Sequence, residues 1–169
     1  MIIIGMRELA LLIGTLTYEP TLSVNPPELA CLARNAFHEA RDQGIEGMTA
    51  VAYVTIRRLE TGRWGTLCEV VEAPSQFSWY WDGKPDQPLD LDAYKDALHA
   101  AVQALTGRGE DLSRRATHYY AHGLTTPAWA ASLTPTAIVG GHTFLTDCKS
   151  VETAPECAPI PPRKPGVTT

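Results

Sequence analysis

The sequence predicts an α+β fold, a helical core with a small antiparallel sheet or hairpin in the C-terminal third. Three observations predict it. Apolar residues recur at helical spacing in three segments of the first two-thirds, and glycine follows each one. The last third changes to short alternating and β-rich runs, "ATHYYAHG" and "TAIVGGHTFL". A chain of 169 residues with 44% hydrophobic composition is enough for one domain with a buried core. Helices first and strands later is an α+β pattern.

The elements follow in order. Residues 1–24, opening "MIIIGMRELALLIGTLTYEP", are apolar, but Arg7 and Glu8 interrupt the run and no basic leader or clean cleavage site accompanies it. A bilayer span needs about 20 mostly apolar residues, so this stretch reads as an extension packed on the domain, without stable membrane insertion. The domain proper spans 25–148. Its first helix is "NPPELACLARNAFHEARDQG": Asn25 can cap it, the prolines suit its first turn, and Gly44 ends it. Leu29, Leu32, Ala33, Ala36, Phe37 and Ala40 form one apolar stripe.

A second helix runs from about Glu46 to Glu60, with Met48, Val51, Ala52, Ile56 and Leu59 inward and Gly62 as its stop. A short helical turn and an aromatic loop come next, with Phe77, Trp79, Tyr80 and Trp81 in five residues. A third helix runs from Leu91 to Thr106, capped by Asp90 or Asp92, with Leu91, Tyr94, Leu98, Ala101, Val102 and Leu105 on its inner face. Two short β runs then flank Gly140–Gly141 as a hairpin or a bulged strand. Residues 149–169 are proline-rich and read as an extended tail.

Composition narrows the function. A net charge of −5 argues against a nucleic-acid groove, and the doublets Arg57–Arg58 and Arg114–Arg115 read as solvated edges. Among the four cysteines there is no C-x-x-C spacing. Cys31 lies in an apolar stripe and reads as a buried thiol, and Cys148 and Cys157 are the better candidates for pairing.

The stretch "AFHEARDQGIEG" carries the chemistry. Its His-Glu pair resembles half a zinc-protease motif, but the fifth position is Asp42. By helical phase His38 and Asp42 face solvent, whereas Glu39 lies at the edge of the apolar stripe beside Leu32. A carboxyl at such a border loses water, which favours its protonated form and suits it to general-acid work.

Three blocks in order resemble the cell-wall hydrolase family of spore cortex-lytic enzymes of the SleB/CwlJ type, which also occurs in bacterial and phage lysins. They are "LACLARNAFHEARDQGIEGMTAVAYVTIRR", "CEVVEAPSQFSWYWDG" and "ATHYYAHGLTTPAWAASLTPTAIVGGHTFL", and they span about residues 29–145. The resemblance implies a compact lysozyme-like domain that cleaves the MurNAc–GlcNAc linkage of peptidoglycan strands as a lytic transglycosylase. Its single catalytic glutamate maps onto Glu39, and neither metal nor other cofactor is implied. Gln76, Phe77 and Ser78 of the Gln-Phe-Ser block, together with Trp81, Tyr119, Tyr120 and His142, form the expected substrate-binding set. One of the two tyrosine hydroxyls is expected near Glu39, the other in the core; His142 is expected to orient Glu39 or bind substrate. Trp79 is a further stacking candidate, Trp129 a packing anchor and Arg41 a structural ion-pair partner. Many members carry Glu where this chain has Gln43, which fits a mechanism with one carboxylate.

The rival expectations are a zinc peptidase, a muramidase that uses water and a second carboxylate at Glu46 or Asp82, and a non-catalytic glycan-binding or virion module. The expected context is a monomer acting on the bacterial wall, accumulated in the cytoplasm and released through a membrane pore.

Overall fold

The structure, a computed structural model, describes residues 25–124 and 126–147. The expected N-terminal extension, the proline-rich tail, and Cys148 with Cys157 lie outside them. Helix α1 spans Pro26–Ala40, its two prolines in the first turn where a missing N–H costs nothing. A 3₁₀ turn, Arg41–Gln43, reverses the chain, and Gly44 at φ +68° opens α2, Gly44–Glu60. Gly44 therefore begins the second helix, two residues before the expected start, and the first helix ends at Ala40, short of the stop expected at Gly44. Helix α3, Leu67–Glu72, is capped by the Thr66 hydroxyl, which accepts from the Glu69 N–H at 3.1 Å. Helix α4 spans Leu91–Thr106, with the Asp90 carboxylate accepting from the Ala93 N–H at 3.0 Å and left-handed Gly107 beyond it. No helix among the described residues is long and apolar enough to cross a membrane.

Helices α1, α2 and α4 pack against one another around a core that includes Ala36, Ala40, Val51, Val54, Ala97, Ala100 and Phe144. The inner face of α4 differs from expectation. Its buried residues are Ala97, Ala100, Ala101 and Ala104, while Leu91 is 68% exposed and Val102 also reaches solvent. Alanine at three- and four-residue spacing lets three helix backbones approach closely, and close approach won over the burial of larger side chains.

One polar chain crosses this interior. The Asn35 amide donates to Thr55 Oγ1 at 2.9 Å and accepts from the Trp79 indole N–H at 2.9 Å. Asn35, Thr55 and the Trp79 indole are thereby partnered, and the aromatic loop is pinned to α1 and α2. A second tie is a disulfide between Cys31 and Cys68, which joins α1 to α3 across 37 residues. Cys31 is thus bonded, contrary to the buried-thiol reading. Closing a loop of this size in the unfolded chain stabilises the fold by about 4 kcal/mol in the chain-entropy account.

The sheet has three antiparallel strands, β1 (His118–Ala121), β2 (Thr134–Val139) and β3 (His142–Thr146), in the order β1-β3-β2. The central strand β3 is buried along its whole length. The β2–β3 register shifts between Pro135 and Ala137, and the Thr136 hydroxyl there donates to the Ser113 carbonyl at 2.7 Å. Helix α2 lashes the segment that leads into β1. Tyr53 donates to the Gly109 carbonyl at 2.6 Å, Arg57 pairs with Asp111, and Arg58 Nε donates to the Thr117 carbonyl at 3.1 Å. These three ties set where β1, and hence Tyr119, meets α1.

Candidate active site

Glu39 is the penultimate residue of α1 and faces β1. The Tyr119 hydroxyl donates to Glu39 Oε2 at 2.9 Å. Burial raises the Glu39 pKa above its usual 4.5, and this outweighs the Tyr119 hydrogen bond and the charge of Arg58, which both lower it. Burial, then the neighbouring Glu39, holds the Tyr119 hydroxyl well above the usual tyrosine range, so it remains a donor. The site therefore combines a carboxyl inclined to hold its proton with two groups that favour the carboxylate once the proton has left.

Tyr119 and Arg58 also line a cavity of about 360 Å³, with Ser75, Gln76, His118 and Trp129 among its other walls. Arg58 is held in its wall: Nε donates to the Thr117 carbonyl, and Nη1 donates to the Gln76 carbonyl at 3.3 Å and to Gln76 Oε1 at 3.4 Å. Its guanidinium lies 4.9 Å over the Phe77 ring. Ser75 holds a left-handed backbone, φ +64°, a strained conformation for a serine at the cavity wall.

The expected site residues separate into groups. Glu39, Tyr119 and Gln76 come together around Arg58. Phe77 does not face the cavity: it is 3% exposed and packs with Cys31, Val70, Val71 and Trp79, so it supports Arg58 from below and offers no face to a ligand. Ser78 is exposed at the start of a 3₁₀ turn, Ser78–Trp81. Trp81, 59% exposed, stands edge-on to Tyr80 and presents a free face to solvent. Trp79 is buried and stacks on His38 at 4.2 Å. His38 is consequently half-buried, its Nε2 3.1 Å from the Asp86 carbonyl, and does not face open solvent as its phase suggested.

Tyr120 points opposite to Tyr119, as alternation requires. It is half-buried against Trp129 at 6.2 Å, so it is not the core tyrosine of the pair. Trp129 is 44% exposed and meets His118 at 5.7 Å, which makes it a cavity wall more than a packing anchor. His142 is buried and does not bond Glu39. Its Nδ1 lies 3.1 Å from Gln43 Oε1 and its ring stands edge-on to Tyr119 at 5.0 Å, so it reaches Glu39 only through Tyr119. Arg41 is exposed over the Phe37 ring, a cation–π contact where an ion pair was expected.

Arg58 is the residue of this candidate site that the sequence reading missed. It does not sit on a solvated edge, and its partner Arg57 is also occupied, by Asp111. A larger cavity, about 450 Å³, lies between α1 and the 82–90 loop, lined by His38, Arg41, Trp79 and Asp82 among others. It includes neither Glu39 nor Tyr119. The two carboxylates considered as partners of Glu39 are likewise elsewhere: Asp82 borders that second cavity and pairs with Lys84, and Glu46 is exposed on the first turn of α2.

The model of the family described as Cell Wall Hydrolase matches residues 42–145. The matched segment carries Arg58, Gln76, Tyr119 and His142 and begins just after Glu39. Two solved structures are similar in fold. The catalytic domain of the Bacillus cereus SleB protein shares 24% identity at a TM-score of 0.59, covering 73% of this chain and 94% of that one. The catalytic domain of the germination-specific lytic transglycosylase SleB from Bacillus anthracis shares 22% identity at a TM-score of 0.61, covering 74% and 98%. No curated protein matches the sequence. These matches bear out the lysozyme-like α+β class expected from the sequence.

Proposed function

Because the chain belongs to the cell wall hydrolase family, we propose that it cuts the glycan strands of peptidoglycan at the MurNAc–GlcNAc bond, as a lytic transglycosylase with Glu39 as its one acid–base. The observation that carries this reading is the Tyr119 hydroxyl on Glu39 Oε2, 2.9 Å away, at a carboxyl whose pKa burial raises. One oxygen is committed to Tyr119, and the other is left for the substrate.

In the first half-reaction protonated Glu39 donates to the glycosidic oxygen as the bond from muramoyl C1 to that oxygen breaks. Positive charge develops at C1, and Glu39 becomes a carboxylate held by the Tyr119 O–H and attracted by Arg58. In the second half that carboxylate takes the proton of the muramoyl C6 hydroxyl while O6 bonds to C1. The product is a 1,6-anhydro ring, and Glu39 is protonated again. Glycosidases that use water or a covalent intermediate employ two carboxylates. An internal nucleophile needs one, which agrees with the positions of Asp82 and Glu46 away from the Tyr119 cavity.

Gln76 and Ser75 supply polar groups to the glycan, and Trp129 and Trp81 supply ring faces for sugar C–H groups. The direct test is Glu39→Gln assayed by release of soluble fragments from purified peptidoglycan. A fall of at least about a thousandfold is expected for loss of the sole acid–base group. Activity within tenfold of the unaltered protein would remove Glu39 from the mechanism.

A further inference from the structure

We propose that Arg58 makes the cavity beside Glu39 a subsite for a carboxylate carried by the muramyl residue of the strand. The inference rests on the glycan-cleaving reading above and names which feature of the glycan that site recognises. Arg58 is fixed by bonds from Nε and Nη1 to the carbonyls of Thr117 and Gln76, and Gln76 is itself a wall of the cavity. Arg58 Nη2 donates to no group among the described residues, and the side chain lines the cavity. Among the described residues no carboxylate lines that cavity, although the chain carries 19 Asp and Glu against 14 Lys and Arg. Its other polar walls are the uncharged Ser75, Gln76, Tyr119 and Ser132, with His118, whose imidazole burial and then Arg58 hold below the usual pKa and toward neutrality.

A half-buried guanidinium that is anchored at two points and keeps donors to spare is arranged to receive an oxyanion. Arg58 also attracts Glu39, but the two are not in ion-pair contact, so its charge is not spent there. Muramic acid differs from glucosamine by a 3-O-lactyl group. That group ends in a free carboxylate on a strand stripped of its stem peptide. With the stem attached it is an amide, and the nearest carboxylates belong to the peptide.

The Glu39→Gln protein, titrated calorimetrically, separates these cases without turnover. Three oligosaccharides of equal length are compared: MurNAc–GlcNAc strands with free lactyl acid, the same strands bearing stem peptide, and chitin oligomers with no lactyl group. At least one muramyl ligand should bind about tenfold or more tighter than chitin, as a charge-assisted hydrogen bond predicts. Whichever muramyl ligand is tighter identifies the carboxylate. The preference should disappear in Glu39→Gln carrying Arg58→Gln and persist in part with Arg58→Lys. Equal binding of muramyl and chitin ligands would overturn the subsite and leave the glycan reading standing. A preference that survives Arg58→Gln would overturn the assignment to Arg58. No binding of any glycan would overturn both. The ligand comparison stands even if the double variant does not fold, because it needs no change at Arg58.

Discussion

Glu39 is half-buried without a cation in ion-pair contact among the described residues, and this has a thermodynamic signature. Its pKa in the folded chain lies above its usual 4.5. Between the unfolded and folded values the native state therefore binds more protons than the unfolded one, so stability falls as pH rises through that window. Glu39→Gln removes the dependence. Its Tm should match that of the unaltered protein below about pH 4.5 and exceed it near neutrality, a gap that scanning calorimetry at several pH values would reveal. A variant less stable at neutral pH would contradict the raised pKa. Tyr119 acts on the same group in the opposite sense, since its hydrogen bond lowers the Glu39 pKa. Tyr119→Phe should therefore move the alkaline limb of the activity–pH profile to higher pH while reducing the maximal rate; an alkaline limb that stays in place would mean the limb reports another group. At this scale the sequence was informative about Glu39, because helical phase alone put a carboxyl beside Leu32 at the apolar border. It was uninformative about Arg58 for an instructive reason. Arg58 follows Val51 and Val54 along the buried side of α2, yet a charged doublet invites a solvated reading that overrode the phase.

Among elements, the junction of α1 and α2 is tied to the β2–β3 turn through Gln43. Its Oε1 accepts from the Gly141 N–H at 2.6 Å and faces His142 Nδ1. The glycines around it leave no room for a side chain: a Cβ at Gly140 would lie 2.4 Å from Gln43 Oε1, and one at Gly47 2.6 Å from Gln43 Cβ. Gly140 also has φ +54°. Gly140→Ala should cost about 2–4 kcal/mol in urea unfolding, from backbone strain and displacement of Gln43 together. Gly83→Ala is the control, because its φ of +74° is equally unfavourable but its surroundings are open; it should cost only about 1 kcal/mol. Equal losses at the two positions would show that the Gln43 contact contributes nothing. The bounds of α4 were legible from sequence because its cap and its terminal glycine act locally. Its buried face was not, since a choice between an alanine face and a leucine face is made by the neighbouring helices. The Cys31–Cys68 pairing was hidden for the same reason: 37 residues apart, the two meet only through packing.

Across the whole molecule, the order of helices and strands was legible from periodicity, and the three sequence blocks named the family that the 42–145 match then gave. The site itself was half legible. Helical phase put Glu39 at the apolar border, and strand alternation set Tyr119 and Tyr120 on opposite faces without saying which of them meets Glu39. Residues that work by bridging distant segments, Arg58 between Gln76 and Thr117 and Gln43 between α1 and the sheet, could not be anticipated. The fold uses its helices to bury one carboxyl and its sheet to place one hydroxyl on it, and the proposed chemistry needs no second acid. That claim is tested most directly by mass spectrometry of the soluble products from purified peptidoglycan. Fragments ending in 1,6-anhydro-muramic acid are the predicted result. Fragments ending in ordinary reducing muramic acid would mean that water attacks C1, and would contradict a mechanism in which Glu39 serves alone.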